Sequence, residues 1–345
     1  MKSLRHLLAA GALLALPTAV MAGPVFDQIK SSDSIICLVN TNSPGFSVPD
    51  SQGVYQGFNT DFCRMAAAAI LGDASKADIR GIGFSDSMKT IVAQNAHMAS
   101  RSITRTGTRD ANPGMNFVAT TFYDGQGFLV AKELGVSSAA ELAGATVCAE
   151  EGSTTLLNIA DWFSDRDIAY RVENIADKSA RLQAFFTGKC DVLASDRTAL
   201  NSDRLLAETP TAYKVLPEVI SNEPLTLLAQ PDPALEKALY WGFQVMLNAE
   251  NLGITSENID AIMADLPSQP KAVQRLLGTD SAAGEMAAQI GLPAEWSYNI
   301  IKQVGNYAEV YERHLGVDTT FGLERSQTAN ALSTDGGLMY PDPIR

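Results

Sequence analysis

The sequence predicts an α/β protein of two lobes joined by two crossing strands, with a helical extension at its C-terminal end. Three observations carry this. Strand and helix patterns alternate in two separate stretches, the signature of βαβ units and mostly parallel sheets. Two long extended segments, residues 122–132 (FYDGQGFLVAK) and 213–230 (YKVLPEVISNEPLTLLAQ), bracket the second stretch, as expected for a domain inserted into another. Beyond them the patterns are helical. The resulting division gives residues 23–128 and 225–270 to the first lobe, 129–224 to the second and 271–345 to the extension.

In chain order, a strand (IICLVN) follows Ser34, a Pro- and Gly-rich loop covers 43–57, and Asn59, Thr60 and Asp61 are placed to cap a helix reaching Ile70. Phe62, Met65, Ala69 and Ile70 give that helix its apolar face. A strand at 77–81, a helix around 87–94 and a strand at 97–103 complete the first unit. The second unit runs from a strand at 145–149 through a Gly152-Ser153-Thr154-Thr155 turn into a helix ending at Phe163. A strand near Tyr170, a helix at 178–187 stopped by Gly188 and a strand at 190–195 follow. Helical patterns then cover 234–246, the region around 257–263, and 294–314.

Of the 345 residues, 46% are hydrophobic and 19% charged, so a sizeable core can be buried and the disordered and collagen-like classes are excluded. Lys and Arg total 26 against 39 Asp and Glu, a formal net charge of -13, which argues against nucleic acid as a partner. Residues 1–22 read as a cleaved secretory signal peptide: Lys2 and Arg5 precede an apolar run over 7–20, and Val20-Met21-Ala22 offers a small-residue cleavage site. No later stretch approaches the roughly 18 apolar residues of a membrane span. A soluble exported chain starting at Gly23 is expected.

Export changes how the cysteines read. Cys37, Cys63, Cys148 and Cys190 form an even set in an oxidising compartment; of the three possible pairings, Cys37 with Cys63 and Cys148 with Cys190 is the simplest. With no Cys-x-x-Cys and only His97 and His314 beyond the signal peptide, no metal site is expected. No cofactor is expected either: there is no phosphate loop, no His-Glu-x-x-His and no nucleophile elbow. His97, in an apolar strand, reads as a core or edge histidine rather than a base.

The informative residues are Ser102, Thr104, Thr106 and Arg109, then Gly152, Ser153 and Thr154, then Asp196. Alternation in an extended segment puts the three hydroxyls on one side, with Arg109 just beyond in a loop. A guanidinium presents paired donors that match a carboxylate, and hydroxyls satisfy its remaining lone pairs. Gly152-Ser153-Thr154 opens a helix, where unpaired N–H groups and the helix dipole favour an anion. Asp196 falls at the C-terminal end of its strand, where open α/β sheets bind ligands, and it can accept from an ammonium. Singly, each has a plainer account: strand propensity for the threonines, an Arg109–Asp110 surface pair, a simple cap, a turn. Jointly they make an anion site and a cation site suited to the α-carboxylate and α-ammonium of a free amino acid.

The mature chain resembles the periplasmic solute-binding proteins of ABC amino-acid importers, and most of all their general L-amino-acid-binding branch. The motifs are Asn59-Thr60-Asp61-Phe62-Cys63, Thr104-x-Thr106-x-x-Arg109, FYDGQGFLV from Phe122, VCAEEGSTTLLN from Val147, CDVLASD ending at Asp196, LNAENLGITSENID from Leu247 and WSYNIIKQVGNYAEVYERHLG from Trp296. The resemblance implies the type II periplasmic-binding-protein fold, a monomer whose cleft closes on its ligand about a hinge, and delivery to an inner-membrane permease. It assigns Arg109, helped by Thr104 and Thr154, to the ligand α-carboxylate, and Asp196 to the α-ammonium. Ser102 is a further contact, with Ser153 beside Thr154 at the helix start. Two positions depart from the family pattern: Gln94-Asn95-Ala96-His97 replaces Gly-x-x-Asp, and Arg105 replaces Trp.

Polar or acidic amino acids such as glutamate, glutamine and aspartate are the expected ligands, within a broad range. Arg101, shared with the branch, is placed to meet a side-chain carboxylate, and Asn40 an amide, provided the strand end bends so that Arg101 and Ser102 face the same way. The plainer account makes Arg101 and Arg105 solvated rim charges. A different class on the same fold is an exported cyclohexadienyl dehydratase, with Glu150 or Glu151 as its acid or base. Those two glutamates otherwise read as an acidic surface turn, and a binding protein rather than an enzyme is the expectation.

Overall fold

The structure, a computed structural model, describes residues 23–345 apart from Gln94, Met115 and Gln327, and at Ser85 and Met88 the backbone alone. The expected signal peptide, residues 1–22, lies outside the described residues. The first lobe opens with α1 (Pro24–Ser32), β1 (Ile35–Asn40), a hairpin of β2 (Val48–Pro49) and β3 (Tyr55–Gln56), and α2 (Phe58–Leu71). Then come β4 (Ala77–Ile82), α3 (Phe84–Val92), β5 (Met98–Thr104), α4 (Gly107–Asp110) and β6 (Asn116–Asp124). The second lobe holds β7 (Gln126–Ala131), β8 (Thr146–Ala149), α5 (Thr154–Ser164), β9 (Arg171–Asn174), α6 (Lys178–Phe186), β10 (Val192–Asp196), α7 (Arg197–Leu205) and β11 (Tyr213–Val215). β12 (Glu223–Ala229) returns to the first lobe. α8 (Pro233–Asn251), α9 (Ile259–Ala264), α10 (Lys271–Leu277), α11 (Ala282–Ile290), α12 (Trp296–Gln303) and α13 (Tyr307–His314) follow it.

Two five-stranded sheets result, ordered β4-β1-β5-β12-β6 and β11-β7-β10-β8-β9. Their βαβ parts are parallel: β1 pairs with β4 and β5, and β8 with β10 and β9. β12 and β7 run against the other strands of their sheets, so each sheet is mixed: β12 pairs antiparallel with β5 and β6, and β7 with β10 and β11. The crossings fall slightly earlier than expected. Gln126, Gly127 and Phe128 already pair with β10 in the second sheet, and Glu223 and Pro224 pair with β6 in the first, because strand pairing continues to the hinge itself.

Three local expectations are corrected. The N-cap of α2 is Gly57, at φ 136°, and Asn59, Thr60 and Asp61 sit in the first turn, their side chains bonded elsewhere. The helix expected over 294–314 is two: Gly305, at φ 101°, breaks it, and Asn306 restarts it through a reciprocal capping box with Glu309. The extension, moreover, is helical only as far as His314; beyond it the described residues hold no α-helix. The cysteine expectation holds: disulfides join Cys37 to Cys63 and Cys148 to Cys190, each within one lobe.

The extension is part of the first lobe. Trp296, Tyr307 and Tyr311 are among the largest fully buried side chains and share one apolar cluster with α2, α8 and the face of the first sheet. Burying each such side chain contributes roughly 1.5–3 kcal/mol, and the tail beyond His314 is fastened by a buried Arg325–Glu250 pair at 2.6 Å. Asp61 pins α13 to α2, accepting from Arg313 and His314 at 2.7 Å each and from Arg64 at 2.8 Å. Burial pushes its carboxyl up, but His314 and Arg313 outweigh this and hold it at about 2.

A depressed carboxyl stabilises the fold above its ordinary pKa, and that contribution is lost as pH falls through the folded value. Asp61→Asn is therefore expected to lower the unfolding free energy at pH 7 by about 2–3 kcal/mol and to flatten its fall between pH 4 and pH 2; urea titrations across that range measure both.

Candidate functional site

The C-terminal ends of the parallel strands in both sheets face one another across a cleft of about 550 Å³. This follows from βαβ geometry, which delivers every strand end and every following helix N-terminus to the same edge. Asn40 ends β1, Phe84 opens α3 just after β4, Thr104 ends β5, Glu150 follows β8, Thr154 opens α5 and Asp196 ends β10; all line the cleft. Arg101, Ser102, Arg109 and Ser153 line it too, so of the residues singled out in the sequence for ligand binding all but Thr106 and Gly152 are brought together.

On the first lobe, the bend that lets Arg101 and Ser102 share a face is present: Ser102 has φ 53°, outside strand geometry, beside a register shift in the β5–β12 pairing. Asn59 Nδ2 braces this corner, donating to Asn40 Oδ1 at 3.0 Å and Ser102 Oγ at 3.1 Å. Arg101 is only 8% exposed, so it is no solvated rim charge. Its Nε donates to Ile82 O at 3.1 Å, and Arg109 Nη1 to Thr104 O at 2.9 Å. Both guanidiniums lie over the Phe84 ring, 5.2 and 5.1 Å from its centroid. Among the described residues their side-chain hydrogen bonds go to carbonyls, not to a carboxylate. Burial pulls Arg101 down to about 10, with Glu150 opposing and Arg181 adding to the fall. Burial likewise lowers Arg109, against Glu223 and Asp196.

On the second lobe, Ser153 provides no side-chain cap to α5; its Oγ donates to Glu150 O at 2.6 Å, so first-turn amides stay open to an anion. Thr154 Oγ1 donates to Glu223 Oε2 at 3.3 Å, retaining its capacity to accept. The Asp196 carboxyl is pushed well up by burial and by Asp124, Glu223 and Glu150, with Arg109 opposing. Asp124 is pushed up to about 6 by burial, against its bonds from Thr198 and Gly125 and the charge of Arg197. Crowded carboxyls of this kind favour an arriving cation.

Several residues lie differently from expectation. Thr106 does not converge with Ser102 and Thr104: it caps the single turn of α4, which carries Arg109, accepting from Arg109 N at 3.3 Å. Glu150 is no surface turn; it faces the cleft and pairs with buried Arg181 at 3.3 Å, whereas Glu151 is exposed. Arg105 stays at the surface, paired with Asp110 at 2.8 Å. His97 is a core histidine whose Nδ1 accepts from Ile36 N at 2.9 Å, its pKa lowered by burial and Arg80 against Asp78. Sequence reasoning missed Phe84, Arg181, Asp124 and Glu223. The rule applied to Asp196, that ligands meet strand ends, would have found Phe84.

Two sheets whose strand ends face across a cleft, joined by two crossings, define a two-lobed solute-binding protein of the type II periplasmic-binding fold. The chain belongs to the bacterial extracellular solute-binding proteins, family 3, which it matches over residues 35–250. It is 38% identical over 335 residues to the glutamate/glutamine/aspartate/asparagine-binding protein BztA of Rhodobacter capsulatus, across 97% of each chain. It is 36% identical over 338 residues to the general L-amino acid-binding periplasmic protein AapJ of Rhizobium johnstonii, across 97% of this chain and 96% of that one. A solved ABC transporter / periplasmic binding protein from Brucella ovis with glutathione bound is similar at a TM-score of 0.89 and 32% identity, covering 94% of this chain and all of that one. Among the described residues no helix is long and apolar enough to cross a membrane.

A carboxyl raised above its unfolded value costs stability once pH rises past that value. Asp196→Asn is expected to raise the thermal midpoint of the ligand-free protein at pH 7, and the gain should vanish below pH about 4, where Asp196 is protonated folded or unfolded. A calorimetric scan at both pH values checks this, and a lower midpoint at pH 7 would count against a strained carboxyl.

Proposed function

We propose that this chain binds free L-amino acids in the interlobe cleft, in the periplasm, and hands them to the inner-membrane permease of an ABC importer. The observation that carries the reading is one cleft holding a half-buried guanidinium with no carboxylate hydrogen-bonded to it among the described residues, Arg109, opposite a crowded, half-buried carboxyl, Asp196. Arg109, with Thr104, Thr154 and the open amides of α5, takes the α-carboxylate; Asp196 and Ser102 take the α-ammonium end. The names of BztA and AapJ support this class of ligand.

Arg101 receives a side-chain carboxylate and Asn40 an amide, which favours glutamate, aspartate and glutamine. Arg101 and Arg181 are both buried and share Glu150 as their near acid, so this end of the cleft holds an excess positive charge that an acidic side chain balances. Glu150, the acid a lyase on this fold would call on, is occupied by Arg181, which supports binding over catalysis. Glutathione is the second ligand to test, given the Brucella ovis structure: its γ-glutamyl residue carries the same α-amino and α-carboxylate groups, and a cleft of about 550 Å³ leaves room beyond them.

Arg109→Ala strands a buried carboxylate and is expected to weaken binding of every amino acid by about 2–5 kcal/mol; titration calorimetry with unchanged affinity would refute the clamp. Arg101→Ala should weaken glutamate and aspartate far more than glutamine. An ammonium stabilises ionised Asp196, so binding releases protons and weakens as pH falls. Calorimetry of L-glutamate binding in buffers of different ionisation enthalpy reads that release, and buffer-independent heats would exclude it.

A further inference from the structure

We propose that the C-terminal extension is a brace for cleft closure, in which Asn330 and Phe321 act as positioning residues although neither lines the cleft. The inference rests on ligand binding between the lobes and adds to it what sets the closed geometry.

Away from the hinge, a loop of the first lobe meets the second. Lys178 Nζ, paired with Asp203 at 2.9 Å, reaches across to Asn42 O at 2.8 Å and Ser43 Oγ at 3.2 Å. Ser202 Oγ donates to Pro44 O at 2.7 Å. The loop receiving these bonds is folded on itself by the Ser43–Ser47 pair and tied to the start of α2, where Phe58 N and Asn59 N each donate to it at 2.9 Å. Its far side rests on the extension. A Cβ added at Gly45 would lie 2.7 Å from Phe321 and 2.9 Å from Leu315, so both pack directly on its backbone. The Phe321 ring meets Phe46 edge-on at 5.7 Å.

The extension also grips the hinge. β6 is the edge strand of its sheet, and the outward N–H and C=O of Tyr123 would otherwise be unpaired. Asn330, 4% exposed, completes them: its Oδ1 accepts from Tyr123 N at 2.7 Å and its Nδ2 donates to Tyr123 O at 2.9 Å. Asn330 is itself held, Arg325 Nε donating to its carbonyl at 2.7 Å while Arg325 pairs with Glu250. The next residue is Asp124, whose carboxylate receives Thr198 N, at 3.2 Å, from the start of α7 in the second lobe. Thus one tail stiffens both the pivot and the surface on which the second lobe closes. A stiffer pivot and a fixed landing loop reduce the ordering left for ligand binding to bring about.

The test places spin labels on both lobes, at Lys237→Cys on α8 and Gln183→Cys on α6, both exposed; all four native cysteines are in disulfides. Pulsed dipolar spectroscopy reads the interlobe distance without ligand, and calorimetry reads L-glutamate affinity. Asn330→Ala and Phe321→Ala are expected to broaden the distances toward longer values and to weaken L-glutamate about tenfold. Ser297→Ala, which removes a buried 2.6 Å bond to Leu276 O inside the extension away from loop and hinge, should lower stability without moving the distances. Folded Asn330→Ala and Phe321→Ala proteins with wild-type distances and affinity would overturn the brace. If either fails to fold, Asn330→Asp, which keeps the acceptor for Tyr123 N–H, and Phe321→Leu replace it with the same expected direction. Should wild type itself not bind L-glutamate, the amino-acid reading fails and the ligand-free distances still decide the brace.

Discussion

Only two stretches of backbone join the lobes, and at both the chain places a carboxylate, half-buried at the first and buried at the second. Asp124 ends β6 and Glu223 begins β12, and the two are register partners across the hinge. Each is bonded to the second lobe: Asp124 to the start of α7 through Thr198, Glu223 to α5 through Thr154 and through Asn158 at 2.8 Å. A buried carboxylate is costly unless its lone pairs are filled, so these bonds fix where the helix N-termini of the second lobe point. They point at the cleft. The hinge and the lining of the cleft are therefore one hydrogen-bonded unit.

The same constraint accounts for the charge pattern of the cleft. Arg101 is buried and Arg109 half-buried, both stacked on Phe84 and bonded to carbonyls, while Asp196 is crowded by Asp124, Glu223 and Glu150. Left alone, both ends are strained. The proposed amino-acid zwitterion would relieve both at once and would thereby favour the form in which the lobes face each other. Because the two halves of the proposed clamp sit on different lobes, binding and closure would then be one event.

The extension matters to this arrangement through packing rather than through the site. The family match stops at residue 250, yet Trp296, Tyr307 and Tyr311 complete the core on which α2 rests. α2 carries Asn59, which braces Asn40 and Ser102, so the core shared with the extension lies beneath one corner of the cleft.

Sequence alone pointed to the two alternating units, the two crossings, the preferred disulfide pairing and the presence of Arg109 and Asp196 at one cleft. Each depends on a local or periodic signal: alternation of strands and helices, cysteine count in an oxidising compartment, hydroxyls and arginine at fixed spacing. The bend at Ser102 was required on paper but not visible there. Tertiary structure decided the rest. Arg101 and Arg105 are both arginines near one strand end, and only packing against Phe84 and Glu150's neighbourhood buries the first while the second stays at the surface. Glu150 and Glu151 are adjacent and alike in sequence, but one faces Arg181 and the other water. Whether a charge is buried depends on what the rest of the chain brings to it from far away, as Arg181 is brought to Glu150, and no local pattern records that.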